Sequence, residues 1–69
     1  MNTKNFLGIL AMKKVLYSLE DADLAKVIGV SPKTFSRRIK NPLAFTAKEL
    51  FTLIKFLRFT AEEKTEVFL

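Results

Sequence analysis

Four cations, Lys33, Arg37, Arg38 and Lys40, fall inside eight residues, with hydroxyls at Thr34 and Ser36 among them and at Ser31 just before. Ammonium, guanidinium and hydroxyl groups in that pattern are hydrogen-bond donors suited to an anionic partner. They supply no general base. The remaining inventory points the same way, because the 69 residues include no Cys and no His. Ser–His–Asp and Cys–His catalysis, Cys/His zinc sites and disulfides are therefore excluded. A carboxylate-only mechanism needs a pocket, and a chain this short seldom builds both a core and a pocket. The expectation is a binding protein with no catalytic residue, cofactor, metal or small-molecule ligand.

Charge points to the kind of partner. Lys and Arg number 12 against 7 acidic residues, a net charge of +5 with a pI near 9.8. That is the range of a nucleic-acid-binding domain. The imbalance is local: residues 31–58 hold seven cations and one carboxylate, whereas Glu20, Asp21 and Asp23 make residues 20–30 acidic. The apolar run Phe6–Met12 is seven residues long, far below the ~20 that span a bilayer. Lys13 and Lys14 come after it where a signal peptide needs small residues. No membrane partner and a cytoplasmic location are expected.

The elements that must position these groups read as helices, because apolar spacings of three and four recur and strand alternation is absent. A first helix is expected from about Asn5 to Tyr17, with Ile9, Met12, Leu16 and Leu19 as its apolar stripe and Lys13 and Lys14 to the side. Ser18 with Asp21 three residues on has capping-box-like spacing and should open a second helix, with Leu24, Ala25 and Ile28 buried. Gly29 ends it in the left-handed region. Ser31-Pro32 starts a third helix, Pro32 to about Lys40, that buries Phe35 and Ile39. Asn41–Phe45 is a short loop. Thr46 and Glu49 form a capping box for a fourth helix with the stripe Leu50, Leu53, Ile54 and Leu57; Thr60 and Glu63 repeat it for a last helix ending at Val67-Phe68-Leu69. The whole is an all-α single domain, 1–69, of five helices.

Two short helices joined by a Gly-containing turn form a helix-turn-helix. Leu24-Ala25-Lys26-Val27-Ile28-Gly29-Val30-Ser31-Pro32-Lys33-Thr34-Phe35 resembles that motif in the Cro/repressor-type (XRE-like, lambda-repressor-like) DNA-binding domains. The likeness continues through Arg37-Arg38-Ile39-Lys40-Asn41-Pro42 and Phe45-Thr46 to Glu49-Leu50, and covers roughly residues 9–60. This tail is similar to small phage-type regulators of Gram-positive bacteria. The resemblance implies a compact five-helix fold and a transcriptional repressor of a phage or prophage. Its third helix would enter the major groove of an operator in double-stranded DNA. Arg37 is then the leading base reader, because guanidinium pairs bidentately with guanine O6 and N7. Lys33, Ser36 and Thr34 are further base-reading candidates. Ser31, Arg38, Lys40, Asn41, Lys48 and the amides of Phe45 and Thr46 are candidate backbone contacts. Asp21 departs from the pattern, since the family commonly has a neutral donor there.

The Phe surplus suggests contacts beyond DNA. Phe51 and Phe56 lie off the core stripe of the fourth helix, and a homodimer interface is expected from Phe56, Phe59, Val67 and Phe68. An alternative reading makes the chain an antirepressor, a modulator of repression. Glu20, Asp21 and Asp23 would then meet the basic helix of a partner repressor protein.

Overall fold

The computed structural model describes residues 1–69 in full and contains five α-helices and no strand. Helix α1 spans Thr3–Leu16, α2 Asp21–Ile28, α3 Pro32–Lys40, α4 Ala47–Phe56 and α5 Ala61–Phe68, with a short 3-10 turn at Pro42–Ala44. None of the helices is long and apolar enough to cross a membrane. Four of the five helix starts are closed by the side chain of the N-cap residue: Asn2, Ser31, Thr46 and Thr60 each accept from the backbone N–H three residues on. Those bonds satisfy donors that a helix end would otherwise leave open. Helix α2 starts differently from expectation. Glu20 is its N-cap residue, and the Asp23 carboxylate accepts from the Glu20 N–H at 2.8 Å. Ser18 caps nothing there and instead closes α1.

Three helices end in one way. In α1, α2 and α4 the closing residue is left-handed: Ser18 (φ 56°), Gly29 (φ 78°) and Arg58 (φ 55°). The next amide then reaches back to the carbonyl five residues earlier, Leu19 to Lys14, Val30 to Ala25 and Phe59 to Ile54, at 2.8–3.0 Å. This is the Schellman arrangement, which favours an apolar residue directly after the left-handed one. Leu19, Val30 and Phe59 meet that need, and all three pack on the core. Only one of the three sites uses glycine. The C-termini of α1 and α4 are therefore hidden among ordinary residues.

One core joins the five helices: Phe6, Ile9 and Leu10 from α1, Leu24 and Ala25 from α2, Phe35, Phe45, Leu53, Ile54, Leu57, Phe59 and Val67. Phe6 is fully buried in it, with its ring 6.0 Å from Phe45 and 6.2 Å from Phe59. Phe45 in turn meets Phe35 edge-on at 5.9 Å, so a run of aromatic contacts leads from α1 to α3. The expected stripe of α1 is rotated in the structure. Met12 is 51% exposed and Leu16 64% exposed, while Phe6, Ile9, Leu10 and Lys13 point inward. The spacing of the buried set is still helical, but its fourth member is a lysine.

Lys13, expected at the side of α1, is buried. Its Nζ lies 2.9 Å from Glu63, donates to the Arg58 carbonyl at 3.2 Å and stands 5.8 Å over the Phe59 ring. A long aliphatic stem packs like a hydrophobe once its charged end is satisfied. Asn2 and Asn5 add a second tie: the Asn2 N–H donates to the Val67 carbonyl at 2.6 Å and Asn5 Nδ2 to the Glu66 carbonyl at 3.0 Å. The start of α1 thus covers open carbonyls at the end of α5.

Candidate nucleic-acid interface

Helix α3 holds the cationic cluster, and its start is firmly set. Ser31 Oγ accepts from the Thr34 N–H at 3.1 Å and donates to Thr34 Oγ1 at 3.0 Å, and Pro32 occupies the first turn. One side of the helix is anchored: Phe35 is fully buried and Ile39 packs on the core. Lys33, Ser36, Arg37 and Lys40 are exposed, and none of the three cations has a carboxylate partner. The turn Gly29–Ser31 places α3 against α2, where Ala25 is only 1% exposed and Val30 packs on the core. No Cβ at Gly29 would meet an atom within 4 Å, so glycine there answers the positive φ and not crowding.

Several candidate contacts have other work. Arg38 Nη1 bonds Glu49 Oε1, the same oxygen that accepts from the Thr46 N–H at 2.9 Å. The Arg38 guanidinium and the capping geometry hold the Glu49 carboxyl below the usual carboxylate range. Arg38 therefore ties the end of α3 to the start of α4 through Nη1, and its side chain is 23% exposed rather than free in solvent. Phe45, expected as a backbone contact, is corrected. Its ring is in the core and its N–H donates to the Pro42 carbonyl at 3.1 Å. With the Thr46 N–H bonded to Glu49, neither amide is open to a phosphate; Thr46 keeps only its hydroxyl proton to offer. The hydroxyl proton of Ser31 goes to Thr34, and Thr34 is half-buried with its own proton free.

Asn41 and Lys48 remain exposed. The Arg38–Glu49 pair sets Lys40, the last residue of α3, and Lys48, in the first turn of α4, at neighbouring helix ends. The acidic trio is partly neutralised. Lys14 of α1 contacts Asp21 at 2.5 Å and Asp23 caps Glu20, and all three sit where the α2 dipole favours negative charge. The expected interface of Phe56, Phe59, Val67 and Phe68 is corrected as well: Phe59 and Val67 are 6% and 1% exposed and belong to the core. Phe56 and Phe68 are exposed, as is Phe51. Comparison of the chain with protein-family models, curated proteins and solved structures finds no match in any of the three.

Proposed function

We propose that the protein binds double-stranded DNA with α3 in the major groove and acts as a small transcriptional regulator of the Cro-like repressor kind. The observation carrying this reading is the division of α3: Phe35 and Ile39 face the core, while Lys33, Ser36, Arg37 and Lys40 face solvent with no intramolecular anion. A short capped helix held on α2 across a tight turn supports a helix-turn-helix reading, in which the second helix reads base edges. Arg37 serves as the base reader, Lys33 and Ser36 stand beside it, and Lys40, Asn41 and Lys48 hold phosphates. The Lys14–Asp21 pair reduces the repulsion that Asp21 would otherwise exert on a phosphate near the start of α2.

The test is fluorescence anisotropy of the protein on generic duplex DNA at several salt concentrations, and then operator selection. Binding should weaken with salt by about 0.9 log units per log unit for each phosphate neutralised. On the selected operator, Arg37→Ala should cost about 1–3 kcal/mol and relax sequence preference. No binding at low salt sinks the proposal, and equal affinity of Arg37→Ala and wild type removes Arg37 as the reader.

A further inference from the structure

Helices α4 and α5 leave a second feature that shares no residue with the α3 face. A cleft of about 460 Å³ lies between them, with Phe51, Phe59 and Phe68 on its apolar walls and Lys55, Arg58 and Lys64 around it. Phe51 is 63% and Phe68 41% exposed, a large apolar surface for so small a protein. None of the three cations has a carboxylate partner. Their isolation reflects how α5 distributes its charges. Glu62, Glu63 and Glu66 line the groove on the α1 side with Lys4, whereas Lys64 and Phe68, one turn apart, turn to the α4 side. The cleft therefore combines aromatic walls with a positive rim that nothing in the chain neutralises.

We infer that the α4–α5 cleft is a docking site for an acidic amphipathic helix of another protein. Leucine or phenylalanine anchors of that helix enter between Phe51 and Phe68, and its flanking Glu or Asp residues pair with Lys55, Arg58 and Lys64. Grooves of this kind read anchors spaced at i, i+3 or i+4 and i+7, and the charged rim sets partner choice and orientation. A second copy is a poor occupant. In a twofold contact through this face the same rim cations of both copies would oppose one another. Seating the acidic side of α5 in the cleft of a neighbour leaves that neighbour's own acidic side on the far side of its α5, away from the first copy's cleft, so the contact is not readily made reciprocal.

The probe is a panel of fluorescein-labelled peptides of about 18 residues, long enough to form isolated helices. Each carries Leu or Phe at i, i+3, i+4 and i+7 and Glu elsewhere on the flanks; a matched set carries Lys in place of Glu. Acidic peptides should bind saturably, shift the amide resonances of Phe51, Arg58 and Phe68, and lose roughly tenfold in affinity on Lys55→Glu/Lys64→Glu. The Lys peptides should gain on that variant. Thermal melting checks that it folds, and Arg58→Gln/Lys64→Gln replaces it if it does not. The inference fails if no acidic peptide binds below about 1 mM or if acidic and basic peptides bind alike. It fails equally if an oligothymidylate or decanoate takes the cleft more tightly than any peptide. Sedimentation as a dimer that Phe68→Ser abolishes would assign the cleft to a second copy instead.

Discussion

At Arg37 and Arg38 two guanidinium groups one residue apart meet different surroundings. Arg37 points to solvent, and Arg38 is clasped by Glu49. Their alanine variants should separate accordingly. Arg38→Ala should lower stability by about 1 kcal/mol, between the values for exposed and buried ion pairs, as read in urea unfolding, while Arg37→Ala leaves the midpoint nearly unchanged. Lys13 gives a sharper case. Lys13→Ala removes both a packed stem and the charge that Glu63 and the Arg58 carbonyl face, and should cost about 2–3 kcal/mol. Lys13→Met keeps the stem and should recover part of that loss. If Ala and Met variants unfold at the same urea concentration, packing of the stem contributes nothing.

At the scale of elements, the helix ends differ in how they are held. Gly29→Ala forces a Cβ into the left-handed region and should destabilise by about 1 kcal/mol, although no atom lies near enough to clash. Ser18 and Arg58 hold the same conformation without being glycine, so Ser18→Gly should stabilise by a few tenths of a kcal/mol up to about 1 kcal/mol. In thermal melts the two variants should move in opposite directions. The starts of α3, α4 and α5 are legible in the sequence, because Ser31-Pro32, Thr46/Glu49 and Thr60/Glu63 are local signals. The start of α2 is not: its cap is formed by Asp23 reaching back to Glu20, and the serine two residues earlier takes no part. Two of the three Schellman endings are equally hard to read. Ser18 and Arg58 are ordinary residues, and their only sign is the apolar neighbour next in the chain, Leu19 or Phe59.

Across the molecule, charge bears on folding and on the proposed DNA contact. Glu49 is held low mainly by Arg38, and Glu63 mainly by the Thr60 backbone N–H and then by Lys13. Both carboxyls therefore bind protons more weakly folded than unfolded, where the usual value is 4.5. Their stabilising effect is complete above that value and fades as pH falls through the folded values. Urea midpoints should hold steady from about pH 7 to about pH 5 and then drop toward about pH 3. Glu49→Gln/Glu63→Gln should be less stable near neutrality and show a flatter acid limb. Under the proposed DNA-binding reading, Lys40→Ala should lower affinity evenly across sequences and reduce the salt slope by about one. A slope unchanged in that variant would remove Lys40 from the phosphate contacts.

Local signals suffice for the helical class, the breaks at Gly29 and Pro32, the inward faces of α2, α3 and α4, and the exposure of Lys33, Arg37 and Lys40. Each is set by spacing or by a capping residue within a few positions. Packing between helices sets the rotation of α1, the burial of Lys13, the pairing of Arg38 with Glu49 and the withdrawal of Phe45, Phe59 and Val67 into the core. Those outcomes depend on partners that are distant in sequence: Phe6 meets Phe45 and Phe59, and Lys13 meets Arg58 and Glu63. A helical period gives the apolar side of one element. Which of several apolar or charged residues is covered depends on the element that arrives opposite, and on whether it brings a ring, a carbonyl or a carboxylate.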